Sequence, residues 1–262
     1  MLNEDNYFSP ENSLKYMGSS QFKSFMKCEG KTLAEITGEY REEPSDSLLI
    51  GSYVDAYYEG SLEQFAIKTP QIFTQKGELR AQYRHANKVI ERAERDKLFS
   101  QFMSGEKQVI MTGEIAGVPY KIKIDSYHAD KCIVDLKCVK DFDQIWDRQN
   151  RMYQNFVDFW GYTYQGAIYQ EIVRQNTGKI LPFYIAAVTK EKEPDLNVFY
   201  IPNDTLEEKL QTVKQLSPRF EQIKKGLLKP QKCGCCNYCR FSKTLTEPIN
   251  YTSMITEGII DV

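Results

Sequence analysis

The stretch that decides the fold is residues 113–140, GEIAGVPYKIKIDSYHADKCIVDLKCVK. After a turn around Gly117, apolar and polar residues alternate over 120–125, the period-2 pattern of a half-buried strand. A second turn at Asp130 and Lys131 precedes an apolar run that begins at Cys132. We therefore expect three short strands here.

Charged residues stand at the ends of two of these strands. Asp135 and Lys137 are two positions apart, so on a strand they share one face. Asp125 ends the neighbouring strand and can reach the same place. Carboxylate oxygens are the ligands that Mg²⁺ and Mn²⁺ prefer, and such a metal makes a nucleophile from water, which Lys137 could orient. The pattern predicts a compact metal site; the alternative is a surface hairpin whose charges face solvent.

One further carboxylate precedes this pair. Glu114 ends the first strand, where it could join the metal site as an added ligand. It could equally face solvent beside Lys121 or Lys123 across the hairpin.

The remaining pattern alternates helices and strands, which predicts an α/β fold with a mixed central sheet and flanking helices. Strands are predicted over 182–188 and 196–201, and a strand or irregular link over 64–75. Predicted helices begin at Ser19–Ser20 and cover 46–59, 78–103, 156–176 and 205–228, the last kinked or divided at Pro218. A helical region is also expected to begin within 141–150.

Composition indicates a folded globular protein. The chain has 262 residues, of which 41% are apolar, and its net charge is -2. DNA binding therefore requires local basic patches and not overall charge. No apolar run is long enough to span a bilayer, and the N-terminus lacks the form of a signal peptide, so we expect a cytoplasmic protein without a membrane partner. With only two histidines, a His-rich zinc catalyst is disfavoured.

Two other groups of residues suggest binding sites. Arg80, Arg84, Lys88 and Arg92 recur every four residues and form a basic stripe on the predicted helix 78–103. Such a stripe could lie along a phosphate backbone. The alternative is a solvated helix face.

The cysteines form the second group. Cys233, Cys236 and Cys239 have C-x-x-C-x-x-C spacing, which suits a small knuckle around a metal. Cys28 is the candidate for the fourth ligand, and Cys235 is a rival. Zinc is one candidate metal; the alternative is a set of free thiols in a surface loop.

The order of Asp125 and Asp135-x-Lys137 resembles the PD-(D/E)XK nuclease motif. Gln165 and Tyr169 match the Q-x-x-x-Y helix of the RecB-like and YqaJ-like exonuclease branch. The resemblance covers roughly residues 20–240 and is closest to phage-encoded, RecE-like exodeoxyribonuclease VIII proteins. Gly51 to Asp55 stands where that branch has G-x-x-x-H, so this chain has aspartate in place of the usual histidine.

The resemblance implies roles for these residues. Asp125 and Asp135 would hold Mg²⁺ or Mn²⁺, and Gln165 and Tyr169 would orient the DNA strand or the attacking water. Asp55 could be an extra ligand of the metal; the alternative is a solvated helix residue. In AddB-type relatives, one N-terminal cysteine and three C-terminal ones hold a [4Fe–4S] cluster, which makes that cluster the second candidate for the cysteine group.

The resemblance also implies an activity. The expected function is 5′-to-3′ exonuclease digestion of duplex DNA ends in phage-type recombination, with a single-strand annealing protein or further copies of the chain as partners. Alternatives are an endonuclease of the same fold, or a DNA-binding or recombination module that has lost activity. We expect one domain over 1–262, with a helical part over about 1–105 and a cysteine-bearing extension over about 230–262.

Overall fold

A four-stranded mixed sheet forms the centre of the fold. The computed structural model describes residues 2–147, 150–248 and 250–252. Strands β4 (Cys132–Val139) and β7 (Phe183–Thr189) pair in parallel at the middle of the sheet. Strands β3 (Ser126–His128) and β8 (Leu196–Ile201) flank them in antiparallel register, which gives the order β3-β4-β7-β8. The expected α/β class with a mixed central sheet is confirmed.

Two hairpins accompany the sheet. The first pairs β1 (Val109–Ile115) with β2 (Val118–Ile124), and the second pairs β5 (Ile145–Asp147) with β6 (Met152–Gln154). Strand β2 continues into β3 through a bend at Asp125. The chain therefore leaves the first hairpin and enters the central sheet at this aspartate.

Eleven α-helices lie in the described part of the chain. Their bounds are α1 Pro10–Lys15, α2 Ser19–Lys27, α3 Glu29–Thr37, α4 Asp46–Glu59, α5 Leu62–Lys68, α6 His85–Glu94, α7 Lys97–Phe102, α8 Phe156–Phe159, α9 Tyr162–Thr177, α10 Asn203–Lys224 and α11 Asn237–Phe241. Two short 3₁₀ turns cover Pro70–Ile72 and Ala81–Tyr83. None of the helices in these ranges is long and apolar enough to cross a membrane.

The two faces of the sheet carry different cores. Along β4, Ile133 packs into one core with residues of α9, α10 and the first hairpin. Val134 and Leu136 pack into the other core with residues of α4, α6 and α7. Because side chains alternate along a strand, Asp135 and Lys137 lie on the face that α9 covers.

A close approach fixes α9 against the sheet. A Cβ atom at Gly166 would lie 2.7 Å from Cδ1 of Phe183 on β7 and 2.8 Å from Cδ2 of Leu206 on α10. Real Cβ contacts are wider, so only glycine allows the helix to pack this closely. The preceding residue, Gln165, is thereby held beside β4.

Several element boundaries differ from the sequence expectation. Helix α4 has the expected bounds, and the Ser45 hydroxyl accepts a hydrogen bond from the Leu48 amide at its start. The long helix expected over 78–103 is wrong. A 3₁₀ turn, α6 and α7 replace it because Asp96 caps a new helix by accepting from the amide of Phe99.

The other differences are local. Helix α5 occupies the first part of the stretch expected to be a strand or link, and strand β5 lies where a helical region was expected to begin. The helix expected over 156–176 is interrupted at Trp160 and Gly161, where Gly161 has a left-handed backbone with φ of 64°. Helix α10 begins two residues early, ends at Lys224 and is not divided at Pro218.

Candidate functional site

Strand β4 and helix α9 meet at Asp135. The Asp135 side chain is 2% exposed, and its Oδ1 accepts a 2.6 Å hydrogen bond from Nε2 of Gln165. The ammonium of Lys137, on the same face of β4, forms an ion pair with Oδ2 of Asp135. Burial acts to lower the pKa of Lys137, but Asp135 and then Asp125 outweigh burial and raise it, so this lysine stays cationic.

Asp125 stands beside Asp135 because of the register of β3 and β4. Ser126 pairs with Val134, so one step further along the same register brings Asp125 opposite Asp135. Directly opposed residues of an antiparallel pair point to the same face. Oδ2 of Asp125 also accepts a 2.8 Å hydrogen bond from the amide of Leu136. Burial, followed by the charge of Asp135, raises the pKa of Asp125 to about 7.

Helix α4 supplies two more carboxylates. Asp55 is exposed to solvent, and the charges of Asp125, Lys137, Glu59 and Asp135 act on its carboxylate. The surrounding protein, followed by the charge of Asp125, raises the pKa of Asp55 to about 8. Glu59, one turn later, accepts a 3.2 Å hydrogen bond from Lys123 and contributes to the raised pKa of both aspartates.

Glu114 does not belong to this group, contrary to the expectation that it could join the site. It pairs with Pro119 at the turn end of the first hairpin, whereas Asp125 follows the opposite end of β2. Its side chain is exposed, and its backbone is hydrogen bonded to Gln175. Glu59 on α4 is the additional carboxylate near the site, and its spacing of four from Asp55 is the sequence signal that could have identified it.

The donor set fits a hard divalent cation. Asp55, Asp125 and Asp135 are mutually repelling carboxylates, and Oδ2 of Asp135 is buried without accepting a hydrogen bond of normal geometry from the described residues. A cation would relieve both conditions. The carboxylate oxygens of these aspartates do not form a compact ligand cluster in this structure. Within the described ranges, the group of potential ligand atoms that all lie within 4.8 Å of one another consists of cysteine sulfurs.

Two further side chains from the sequence expectation lie at the edge of this group. Tyr169 is buried, and its hydroxyl donates a 2.9 Å hydrogen bond to the carbonyl of Lys123, two residues before Asp125. Gln165 contacts Asp135 directly. Both side chains therefore hold protein groups of the site in place.

Lys23 on α2 is a site residue that sequence reasoning missed. Its Nζ donates to Oε1 of Gln165 at 3.3 Å and lies 4.9 Å from the ring centroid of Tyr162. Lys137 lies 5.0 Å from the same centroid, so the ring contacts both cations. Burial, followed by the charge of Lys137, lowers the pKa of Lys23 to about 7. Lys23, Lys27 and Lys31 are spaced four residues apart, and this helical spacing is the sequence signal that could have pointed to Lys23.

The predicted basic stripe is not a stripe along one helix and lies away from the carboxylates. Arg80 precedes α6 and donates to the carbonyl of Phe73, and Arg84 donates to the carbonyl of Leu79. Lys88 pairs with Glu193 at 2.7 Å. The helix that carries Lys88 and Arg92 packs its apolar side on the opposite face of the sheet from Asp135, so these residues have no contact with the carboxylate group.

The four cysteines expected to share a metal lie together. The Sγ atoms of Cys28, Cys233, Cys236 and Cys239 are all within 4.8 Å of one another, with 3.6 Å between Cys28 and Cys239 and 3.8 Å between Cys233 and Cys239. Cys235 is exposed and outside this group, although its Sγ lies 3.6 Å from that of Cys233.

Contacts near Cys28 hold the C-terminal segment against the N-terminal helices. Glu29 forms two hydrogen bonds with Arg219, at 2.7 and 2.9 Å, and accepts from the amide of Gln231. The amide of Gly30 donates to the carbonyl of Gln231. The cysteine group is thus assembled from both ends of the described chain.

The mixed sheet, with Asp-x-Lys on a central strand opposite a second aspartate, defines a PD-(D/E)XK nuclease fold. A family model described as PDDEXK-like domain of unknown function (DUF3799) matches residues 18–242. The chain belongs to this PDDEXK-like family.

Solved structures include one similar along almost its whole length. A crystal structure of a "putative exonuclease" from Eubacterium rectale is 45% identical over 99% of each chain, with a TM-score of 0.92. A crystal structure of SSO0001 covers 73% of this chain and 86% of its own at 15% identity and a TM-score of 0.26, which is too low to support an argument. No curated protein sequence matches the chain.

Proposed function

We propose that this protein is a divalent-metal-dependent nuclease that digests DNA from its ends. The observation that carries the proposal is the meeting of Asp125, at the bend between β2 and β3, with Asp135 and Lys137, which lie within β4 and not at its end as expected, and with Gln165 bonded to Asp135. The family membership and the exonuclease description of the Eubacterium rectale protein support it.

The site residues have distinct chemical tasks in this proposal. Asp125, Asp135 and Asp55 would hold Mg²⁺ or Mn²⁺, which when bound lowers the pKa of a water molecule and neutralises charge on the phosphate. The ammonium of Lys137, kept protonated by Asp135, orients the attacking water and stabilises negative charge that develops on the phosphate oxygens. Gln165 and Tyr169 fix the positions of Asp135 and the end of β2, so they act as positioning residues.

Finer features of the activity follow from the resemblance in sequence to RecE-like exonucleases. We propose 5′-to-3′ digestion of one strand of a duplex, in a phage-type recombination reaction with a single-strand annealing protein as partner. We also propose that residues 1–262 form one catalytic domain. Further copies of the chain are candidate partners. Both cores share the central sheet, which supports this view of the domain.

End-labelled DNA tests the activity. Linear duplexes labelled at either the 5′ or the 3′ end, and a closed circular duplex, would be incubated with Mg²⁺ and with wild-type protein, Asp135→Asn or Glu114→Gln. We expect wild type and Glu114→Gln to release nucleotides from linear DNA and to leave the circle intact, and Asp135→Asn to be inactive. Glu114 is the matched control because its carboxylate lies outside the site.

Each contrary result has a defined meaning. Cleavage of the circle would identify an endonuclease. Tight DNA binding without any cleavage at saturating Mg²⁺ or Mn²⁺ would identify a binding module and would overturn the nuclease proposal.

We also propose that the four-cysteine group holds one zinc ion. Zn–S bonds of about 2.3 Å in a tetrahedron place sulfurs about 3.8 Å apart, close to the 3.6 and 3.8 Å between Sγ atoms here. A [4Fe–4S] cube requires wider spacing, because each thiolate binds a different iron. Although burial acts to raise it, the amides of Cys235 and Cys236 lower the pKa of Cys233 to about 6, which favours the thiolate that a metal needs. Elemental analysis and an absorption spectrum of anaerobically purified protein would distinguish zinc from iron.

A further inference from the structure

A groove of about 1,030 Å³ lies between α2 and the β5–β6 hairpin and reaches the cysteine group. One wall is α2 with the start of α3. The opposite wall is formed by β6 and by the turn between α8 and α9. Lys23 stands at the end nearest Asp135, through its contact with Gln165, and Cys236 stands at the other end. One lining residue, Lys23, is thus separated from Asp135 by a single side chain, that of Gln165, so the groove lies next to the proposed site.

Two lysines that line the groove, Lys27 and Lys209, have no carboxylate partner among the other lining residues. Lys27 contacts the ring of Trp160, with Nζ 5.0 Å from the centroid, and forms no ion pair with a described carboxylate. Burial, and then the charge of Lys31, lowers the pKa of Lys27. Lys209 extends this row on the α10 side and lies 5.8 Å from the ring centroid of Tyr164. Its only ion pair in the described chain is with the exposed Glu208.

Acidic groups in the groove are already engaged. Glu35 and Glu42 pair with Lys31, so that lysine contributes little free charge. The Asp158 carboxylate accepts one hydrogen bond from the side-chain amide of Asn155, and Asp147 accepts from Gln154. Asp147 and Asp158 keep their negative charge on the β5 and α8 side of the groove. Lys27 and Lys209 lie on the α2 and α10 side without a carboxylate partner inside the groove, so that side favours the phosphates of an anionic ligand.

Aromatic side chains face the same space. Trp160 is 43% exposed and Tyr153 is 62% exposed, and both line the groove. The rings of Tyr153 and Trp146 pack edge to face, with 5.1 Å between their centroids. Exposed rings beside lysines are the arrangement that binds unpaired bases by stacking while cations hold the phosphates. A duplex offers no free base faces to such rings except at its ends.

We propose that this groove binds a single strand of DNA, the strand whose scissile phosphate lies at Asp125 and Asp135. The phosphates lie along Lys23, Lys27 and Lys209, and bases stack on Trp160 and Tyr153 as the strand runs toward the cysteine group. This inference rests on the proposed nuclease function for its direction, but the groove itself can be tested without cleavage.

The test is binding of fluorescein-labelled oligo(dT), measured by fluorescence anisotropy in Mg²⁺-free buffer with all variants in an Asp135→Asn background. We expect Trp160→Ala to weaken binding about tenfold or more, and Trp160→Phe to bind within about twofold of the parent because it keeps a ring. Lys27→Ala should lower the slope of log affinity against log salt by about 0.7, the value for one lost phosphate contact on a single strand. Lys97→Ala, an exposed lysine on α7, is the matched control and should leave binding unchanged.

Three outcomes decide the matter. Stronger binding of the parent to oligo(dT) than to a blunt duplex of equal length, lost in Trp160→Ala but not in Lys97→Ala, supports the groove. Equal binding by the groove and control variants overturns it, even if the wild-type enzyme cleaves DNA. Binding that depends on the groove in a protein that cleaves no DNA would leave this inference standing and would overturn only the nuclease proposal.

Discussion

The amide of Gln165 on α9 donates a 2.6 Å hydrogen bond to Oδ1 of Asp135 on β4. The carbonyl oxygen of the same side chain accepts from Lys23 at 3.3 Å. The two contacts fix which end of the amide faces the carboxylate, so Oδ1 of Asp135 is held and Oδ2 is left to Lys137 and to a cation. Gln165 thus links Lys23, which lines the groove, to the proposed metal site.

Replacing Gln165 should impair metal use more than substrate binding. In Gln165→Ala, Asp135 loses its anchor, and we expect kcat to fall about 10- to 100-fold and the Mg²⁺ concentration for half-maximal rate to rise, because metal-site positioning partners of this kind contribute that much. Gln165→Glu should be worse, since it places a further negative charge beside Asp135. The measurement is a Mg²⁺ titration of the initial rate on linear duplex.

Gln170→Ala provides the control for this helix. Gln170 also makes a 2.8 Å hydrogen bond from its amide, but to the carbonyl of Leu181, away from the carboxylates. It should lose some stability and keep its Mg²⁺ dependence. If both variants shift the Mg²⁺ titration equally, Gln165 has no special positioning role.

The carboxylates should make the metal-free protein less stable as pH rises. Burial and neighbouring charges raise the pKa of Asp125 to about 7 and of Asp55 to about 8, whereas an aspartate of the unfolded chain titrates near 4. The folded state therefore binds more protons between about pH 4 and 8. The contribution of these two groups to the free energy of unfolding is fully favourable below that window and is lost through it.

Thermal unfolding in buffers without divalent cations measures this effect. We expect Tm to fall by several degrees between about pH 5.5 and 8, and to recover at pH 8 when Mg²⁺ is added. Asp55→Asn with Asp125→Asn should flatten the pH dependence, because the amides do not titrate. An identical slope in this double variant and in wild type would show that other groups govern the pH dependence.

Cys28 should be required for metal binding, while Cys235 should not. Cys28→Ser removes one of the four clustered thiolates and the only one from the N-terminal helices. We expect the zinc content to fall from about one per chain to a small fraction, and Tm to fall by several degrees because the metal joins α2 and α3 to the C-terminal segment. Cys235→Ser should keep both. Equal loss of metal in the two variants would mean that Cys235 is a ligand.

The sequence was sufficient for features that depend on short-range pattern. Asp125 and Asp135 could be placed together because strand alternation and a tight turn between them leave little freedom. The expected bounds of α4 agree with local signals in the chain, since a serine cap precedes the helix and Gly60, with φ of 73°, follows it. The cysteine spacing likewise predicted three members of the cysteine group, and Cys28 was inferred as the fourth because a metal would need a complete set of ligands.

Features set by long-range packing were not accessible. Glu114 is near Asp125 in sequence, but the hairpin register places it at the far end of β1 and β2. The basic residues from Arg80 to Arg92 have helical spacing, but spacing alone does not say which face of the sheet a helix covers. Lys23 and Lys27 of α2 are also four residues apart. Only the packing of α2 against α9 brings Lys23 into contact with Gln165 at the site.

The packing of α9 gives a final prediction about stability. In Gly166→Ala the new methyl group would meet Phe183 and Leu206 at 2.7 and 2.8 Å, so the helix must shift away from the sheet. We expect a loss of about 1–3 kcal/mol, typical of overpacking, or roughly 2–4 °C in Tm for each kcal/mol in a chain of this size. Activity should fall more than stability explains, because the shift moves Gln165 away from Asp135.

Gly51→Ala on α4 is the control variant. Its Cβ would lie 3.8 Å from Cβ of Cys138, which is an ordinary contact, so replacing glycine in the helix interior should raise the free energy of unfolding by about 0.5–1 kcal/mol. Thermal unfolding of both variants beside rate measurements tests this, and a Gly166→Ala protein as stable and active as wild type would show that the α9–β7 contact can relax without moving Gln165.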